Sequence, residues 1–548
     1  MLLSRFLAKT SFDSYDDYKK NFEILVPESF SYPRDVVDEW AKAEPAKRAL
    51  AWLDDHGQRR EFSFAEISSL SKKAASYLQN LGIKKGDMVL VQLKRHWEYW
   101  VTALALHRLG AVLIPASIQL TAKDIAYRAA IAGIRMVIAC NEEWSLSQIE
   151  EALPQCQGLE FLALCRGSRE GWLDYSTGIE AAGEEYAAPD LKNSDLLLSY
   201  FTSGTTGMPK MVMHDQTYPL GHIVTAKYWQ QVENGGLHFT ASDSGWAKFG
   251  WGCLYGQWIA GTAILGYDQD LKFNARNLIN VLRQEKPTTV CVPPTIYRFI
   301  MREGLTREDF MSVRHCCTAG EPLAPEVNRE FERLTGLPIH DGFGQSEGIV
   351  LVGNFAWFDS CPGSMGKPSP LYDIAIVDEE GRECPVGEEG EIVIRGLDRG
   401  LPPGLTIGYY SDGRVSRHYA AVYHTGDVAW MDESGFYWYV GRNDDVIKCS
   451  GYRIGPFEIE SVLLTHPAVL ECAITAAADP IRGQVVCATI VLSPGHEGTP
   501  ALTKEIQDYV KKLTAPYKYP RVVRYIDALP KTTSGKIIRA QIRSSMDQ

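Results

Sequence analysis

No apolar run in this chain is long enough and clean enough to cross a bilayer. The longest, Val101 to Leu120, is interrupted by His107 and Arg108, so no membrane span is expected. Metal-ligand spacing is missing too: there is no CxxC, no HExxH and no clustered Cys/His pattern, which argues against a zinc site. The 12 cysteines follow no framework. Cys316 and Cys317 sit in an apolar stretch and read as core thiols. Scattered thiols in a large chain point to a reducing compartment, and a cytoplasmic location is expected. A basic surplus is absent. The net charge of -12 argues against a general nucleic-acid binder and does not favour anionic membranes. The start, MLLSRFLAK, is too short for a secretory segment, and Asp13, Asp16 and Asp17 follow at once, against a transit peptide. There is no short repeat and no low-complexity tract.

What is present is a chain of 548 residues, 45% hydrophobic, enough for two or more domains. Ser63-Phe-Ala-Glu66 predicts a capping box for a helix from Phe64 to Leu81, stopped by Gly82. A strand is expected over Met88 to Leu93, a helix over Trp97 to Leu109, and a strand over Val112 to Pro115. Thr121 caps a further helix, and Arg135 to Cys140 is a strand. This alternation implies a largely parallel sheet covered by helices. From Gly363 to Trp438 short segments between Gly/Pro turns imply a small β-rich subdomain, with Gly396 to Gly413 as a mobile loop. Past Gly441 the texture is that of a compact α+β domain. The fold class is therefore α/β: a large multilayer N-terminal domain, 1–442, and a small mobile α+β C-terminal domain, 443–548. The polar run at Arg442-Asn443-Asp444-Asp445 marks the boundary.

Tyr200 to Lys210 reads YFTSGTTGMPK, after the apolar Leu196-Leu197-Leu198. Gly204 and Gly207 let the backbone turn its N–H groups toward one anion. Thr202, Ser203, Thr205 and Thr206 add hydroxyls, Met208 and Pro209 complete the turn, and Lys210 adds a charge. Such a loop suits a polyphosphate. It is not the Walker loop, which has four residues between its glycines and Ser/Thr after the Lys.

Gly344-Gln-Ser346-Glu-Gly348 matches the G-x-S-x-G nucleophile elbow. A serine hydrolase with His418, His424 or His466 as base is therefore a rival, although it leaves the Thr/Gly loop unexplained. The longer string, Asp341-Gly-Phe-Gly-Gln-Ser346-Glu347, invites a different comparison. So do Gly320-Glu321-Pro322, Tyr423-His-Thr-Gly-Asp427 with Gly441-Arg442, and Leu529-Pro-Lys-Thr-Thr-Ser-Gly-Lys536. Together with the Thr/Gly loop, and in this order, they resemble the adenylate-forming superfamily of acyl-CoA synthetases, peptide-synthetase adenylation domains and luciferases. The resemblance implies that residues 202–210 and Asp341, Gly342, Phe343, Gly344, Gln345 and Ser346 meet ATP, with Ser346 also near the acyl phosphate. It makes Glu347 the Mg²⁺ ligand, Gly320 to Pro322 the adenine-side turn, Asp427 the ribose carboxylate and Arg442 its neighbour. Lys536 becomes the catalytic lysine, whose acylation would remove the same charge.

Asp243-Ser-Gly-Trp246, Trp251, Tyr255-Gly-Gln-Trp258, Ser450-Gly-Tyr-Arg453, Asp479-Pro-Ile-Arg482-Gly and Thr514 to Pro520 look most like medium-chain acyl-CoA synthetases. The chain stops twelve residues after Lys536, so a free-standing enzyme with no carrier domain is expected. By this resemblance CoA meets Ser450, Gly451 and Tyr452, and its nucleotide end meets Arg482, Lys511, Tyr517, Lys518 and Tyr519, with Gln119 reaching in from the large domain. Trp246, Trp251 and Trp258 crowd the acyl pocket, Ser346 and Arg453 face the acyl-adenylate, and Lys248 breaks an apolar patch. The implied reaction joins a small to medium carboxylic acid to CoA through an acyl-adenylate, with ATP, Mg²⁺ and CoA required; a homodimer is allowed. Asp444 matches the superfamily's hinge. A sensor that kept the fold but lost turnover is the non-enzymatic alternative. Retention of Lys210, Glu347, Asp427 and Lys536 argues against it.

Overall fold

Ser63 and Glu66 exchange hydrogen bonds. Ser63 Oγ accepts from Glu66 N at 3.2 Å, and Glu66 Oε2 accepts from Ser63 N at 2.8 Å. Helix Phe64–Asn80 therefore starts where the sequence places it. The structure, a computed structural model, describes residues 2–202, 209–270, 272–417, 419–449, 452–479, 483–532 and 536–545, with backbone only at 448, 452, 453, 483 and 516.

Two nine-stranded sheets form the large part. In one, six strands from Ile339–Gly344 through His315–Ala319, Thr289–Cys291, Leu237–Thr240 and Ala263–Asp268 to Arg48–Asp54 are parallel. In the other, the strands from Leu196–Thr202 through Val112–Pro115, Met88–Gln92 and Met136–Cys140 outward are parallel. Helix Glu98–Leu109 is buried along its whole length and ends at Gly110 with φ 63°. That accounts for the two polar residues in the longest apolar run. Buried Arg108 pairs with Asp38 at 2.6 Å, and His107 Nε2 meets the Tyr255 hydroxyl at 3.0 Å.

A four-stranded antiparallel sheet follows, of Asp373–Val377, Gly390–Arg395, Tyr423–Met431 and Tyr437–Arg442. The β-rich subdomain is there, but Gly396 to Gly413 is not simply a mobile loop. Strand Gly408–Ser411 pairs antiparallel with Met211–Met213 and so joins the edge of the second large sheet. Backbone pairing at a sheet edge decided this, and short loop-like composition does not encode it. The C-terminal part has its own five-stranded sheet. Its separate core is built on Ile459, Leu463, Ile474, Val485 and Ile506, with helices Pro456–Leu463 and Pro500–Leu513. Among the described residues no helix is long and apolar enough to cross a membrane.

Candidate active site

The Thr/Gly loop is flanked by two strands that pair antiparallel. Thr202 ends strand Leu196–Thr202, Lys210 opens strand Lys210–Asp215, and the two residues are register partners. A Walker loop would instead run into a helix. Residues 203–208 lie outside the described residues. The loop's far end is fixed by the Tyr127 hydroxyl, which donates to Pro209 O at 2.9 Å.

Strand Ile339–Gly344 carries the second motif to the same end of its sheet as Ala319 and Gly320. Gly342 and Gly344 are needed for close approach. A Cβ on Gly342 would stand 2.5 Å from the Trp229 ring, and one on Gly344 would stand 2.3 Å from Trp251 Cη2. The chain then enters strand Val350–Gly353 rather than a helix. Ser346 is thus not on the strand-to-helix elbow that a serine hydrolase requires. Buried His214 contacts the serine through backbone, its Nε2–H donating to Ser346 O at 2.8 Å, and burial lowers its pKa to about 3. His424 is exposed beside Glu391, and His466 pairs with Glu505. His418 lies outside the described residues.

Glu347 is held by the Tyr409 hydroxyl, which donates to Oε1 at 3.1 Å. Burial pushes the Glu347 carboxyl upward. The Tyr409 bond and the charges of Lys536 and Arg442 pull it back. Asp427 is 4% exposed, and both its oxygens are occupied. Tyr439 OH donates to Oδ1 at 3.1 Å; Gln345 Nε2 at 2.5 Å and Arg442 Nη1 at 3.1 Å meet Oδ2. Burial raises Asp427 as well, against the charge of Arg442 and, more weakly, of Lys536. Lys536 follows the loop near the C-terminus, yet its charge bears on both Glu347 and Asp427. Lys210 is exposed, with its ammonium 5.4 Å from the Tyr409 ring centre. Lys210, Glu347, Asp427, Arg442 and Lys536 are therefore linked through shared neighbours.

In the turn expected at the adenine, Gly320 has φ 100° and open space where a Cβ would stand. Glu321 accepts from Thr295 Oγ1 at 2.7 Å, and Pro322 is exposed. Asp341 is buried, accepts from Gly342 N at 2.8 Å, and is pushed by burial to about 7.

Trp251 is buried against Gly344, with its ring 6.3 Å from Trp229. Trp246 is half-buried at the start of helix Ala247–Cys253. Trp258 does not share that space. It is wholly buried, donates to Ala49 O at 2.8 Å and packs on Phe64, so it belongs to the core. Lys248 Nζ donates to Ala319 O at 2.9 Å, and its charge is felt at Asp341.

Among the expected CoA residues, Ser450, Gly451 and Arg482 lie outside the described residues. Tyr452 and Arg453 are described by backbone alone, in strand Tyr452–Ile454. Lys511 stands 4.2 Å from the Tyr519 ring centre, and Lys518 pairs with Glu458 and faces Tyr517. Arg521, which the sequence reading missed, donates to Tyr519 OH at 2.6 Å. Gln119 is exposed on the large part, with its backbone N–H donating to Ser117 Oγ at 3.3 Å. Asp444 lies in the turn after strand Tyr437–Arg442, 3.9 Å from Arg442 Nε. Tyr409, Tyr439 and His214 also escaped the sequence reading; only Tyr423, which donates to Gln345 Oε1 at 2.9 Å, is flagged by its place in a motif.

One set among the described residues, His96, Glu98 and Cys165, has metal-ligand spacing. It is an ion-pair cluster. Arg166 donates to both Glu98 oxygens at 2.7 Å, burial lowers His96 to about 3 and leaves it neutral beside Asp268, and burial raises the Cys165 thiol.

The AMP-binding enzyme family matches residues 37–410, and the AMP-binding enzyme C-terminal domain matches residues 458–536. The mitochondrial acyl-coenzyme A synthetase ACSM3 of Mus musculus is 38% identical over 545 residues, 97% of this chain and 93% of its own. The mitochondrial acyl-coenzyme A synthetase ACSM5 of Mus musculus is 40% identical over 532 residues, 95% of this chain and 91% of its own. Among solved structures, the anthranilate CoA ligase AuaEII in complex with anthranoyl-AMP superposes with a TM-score of 0.86 at 27% identity, covering 95% of this chain and 98% of that one. A benzoate CoA ligase from Burkholderia xenovorans gives 0.80 at 26% identity, covering 94% and 100%.

These relatives overturn the cytoplasmic expectation, since both synthetases are mitochondrial enzymes. The two arguments behind it were weak for physical reasons. All 12 cysteines are free, but a mitochondrial matrix is reducing as well. Asp16 and Asp17 lie in the first turn of helix Tyr15–Asn21, with Ser14 as its cap, so their charge has a local structural reason.

Proposed function

The chain belongs to the AMP-binding enzyme family, and we propose how its residues divide the work of an AMP-forming ligase. It is an acyl-CoA synthetase: a carboxylate and ATP give acyl-adenylate and pyrophosphate, and the acyl group then passes to CoA with release of AMP. The observation that carries the division is the meeting of separate motifs at one place: Arg442 and Gln345 both bond Asp427, and Tyr409 bonds Glu347 while its ring faces Lys210.

We assign adenylation to Lys536, which would stabilise charge developing at the α-phosphate. No general base is required, because a carboxylate is already a nucleophile. Residues 202–210 would cradle the phosphates, Asp427 and Arg442 would meet the ribose, and Gly320 to Pro322 and residues 341–346 would line the nucleotide. Mg²⁺ fits Glu347, a half-buried carboxylate with one neutral hydroxyl donor and no direct ion pair among the described residues. When bound, the ion would offset phosphate charge there. Trp246, Trp251, Ser346 and Arg453 would surround the acyl group. Gln119, residues 450–452, Arg482, Lys511 and residues 517–519 would meet CoA. The acid is short to medium in length, branched and aromatic forms included; the aromatic ligases among the structural neighbours support that breadth. The domains would divide at 442/443 with Asp444 as pivot, and a homodimer is checked by sedimentation.

The test is carboxylate-dependent ATP–pyrophosphate exchange over a panel of acids, with CoA added second. Lys536→Ala is expected to abolish exchange yet largely spare thioester formation from pre-made acyl-AMP. Near-normal exchange in that variant would sink the assignment. A hydrolase or a sensor would not exchange pyrophosphate at all.

A further inference from the structure

Asp445 stands one residue beyond the proposed pivot, and two arginines from the end of the chain hold its carboxylate. Arg543 Nη1 donates to Asp445 Oδ1 at 2.7 Å, and Arg539 Nη1 lies 3.6 Å from Oδ2. The Asp445 side chain is only 11% exposed, so solvent screens these pairs weakly. Arg539 is itself tied to the body of the C-terminal part. Its Nη2 donates to both oxygens of Glu460, at 2.7 and 2.9 Å, and its Nε donates to Ile474 O at 3.3 Å.

Arg539 follows Lys536 by three residues. Residues 533–535 lie outside the described residues, and the backbone on either side of them is bonded together: Thr532 N donates to Lys536 O at 2.8 Å, Ile538 N donates to Pro530 O at 2.9 Å, and Lys531 pairs with Ile537. A short, bonded path therefore runs from Lys536 through Arg539 to Asp445. On the other side of the pivot, Arg442 is bound to Asp427 and to Thr425 O at 3.1 Å, and Asn443 N donates to Gly426 O at 2.9 Å. The linker is thus gripped by the large part up to residue 443 and by the C-terminal part from residue 445.

We propose that Asp445, Arg539 and Arg543 form a clamp that fixes the far side of the pivot to the lysine loop, and that Asp445 and Arg543 are positioning residues for Lys536 during adenylation. The proposal rests on the assignment of Lys536 to that step. Asp445 and Arg543 act through Arg539 and the loop behind it. With the clamp closed, a rotation about Asp444 is delivered whole to the lysine. With it open, the loop can lag behind the domain, and a small misplacement at a reacting centre is costly.

The experiment uses the full chain with Asp445→Asn, Arg543→Met, their double variant and Arg543→Lys. Each single variant is expected to lower kcat for pyrophosphate exchange by about 10- to 100-fold, with KM for ATP and thioester formation from acyl-AMP within about twofold. The double variant should be no worse than the worse single one, because both remove the same contact. Arg543→Lys should recover most of the rate. Backbone amide exchange over 530–540 should quicken in the single variants. Equal losses in both half-reactions, unchanged exchange kinetics, or simple additivity would overturn the clamp. Should the wild-type chain fail to exchange pyrophosphate, the Lys536 assignment fails instead. The clamp is then judged by amide protection alone, and unchanged protection over 530–540 in Asp445→Asn overturns it.

Discussion

Tyr409 and Glu347 are joined by a 3.1 Å hydrogen bond across 62 residues of chain, and the same tyrosine ring faces the Lys210 ammonium. The link exists because strand Gly408–Ser411 leaves the small sheet region and pairs beside Lys210–Asp215. It ties the carboxylate proposed for Mg²⁺ to the lysine that ends the proposed phosphate loop.

Tyr409→Phe should therefore loosen Glu347. A hydrogen bond to a charged group contributes about 1.5–3 kcal/mol, and it favours the ionised form here. Its loss raises the Glu347 carboxyl further, so the acid limb of the exchange rate should move to higher pH. The Mg²⁺ concentration for half-maximal exchange should rise roughly 10-fold, with KM for the acid little changed. A Mg²⁺ titration that superposes on wild type would remove Tyr409 from the site.

Trp251→Gly should shift preference toward longer or bulkier acids and leave ATP affinity nearly unchanged. The indole fills the space against Gly344 that any side chain there would need, and removing it empties a large volume. The chain-length profile of exchange is the measurement. An unchanged profile with a lowered melting temperature would mark Trp251 as core.

Asp444→Pro should separate the half-reactions. Arg442 and Asn443 are bonded to the large part, and Asp445 to the C-terminal part, so one residue is left to absorb a rotation. Proline fixes its φ. Pyrophosphate exchange should persist while CoA-dependent AMP release falls by about two orders of magnitude or more. Equal loss of both would mean damage to the fold; survival of both would place the pivot elsewhere.

Asp341 should give the protein a pH-dependent cost. Its carboxyl sits at about 7 when folded against an ordinary 3.8, raised by burial and partly relieved by the Gly342 and Leu323 amides and the Lys248 charge, with Cys291 opposing. Between those values the folded chain keeps a proton that the unfolded chain has released. Stability from this group is therefore lost as pH climbs from about 4 to 7. Asp341→Asn keeps the acceptor for Gly342 N and removes the ionisation. Relative to wild type it should gain about 1–3 kcal/mol at pH 8 over its value at pH 5, read as a difference in melting temperature. Parallel pH curves would contradict the shift.

Much of this molecule is local and was readable as such. The Ser63 capping box, the stop at Gly110 and the alternation of strands with helices depend on neighbours a few residues apart. The motifs at 200–210, 341–347, 423–427 and 529–536 likewise pack their chemistry into short strings, and the order of the strings identified the family. Long-range placement was not readable. Whether a tryptophan is core or pocket wall depends on what faces it: Trp258 meets Phe64 and Ala49, while Trp251 meets Gly344. Tyr409 became part of the site by pairing at a sheet edge, Tyr439 by facing Asp427 across a hairpin, and Asp445 by meeting arginines 94 and 98 residues away. Sequence fixes which groups are available because side-chain chemistry is local. Only the closed tertiary structure decides which of them share a charge or a hydrogen bond, because those energies depend on distances that the chain sets when its sheets pair and its domains meet.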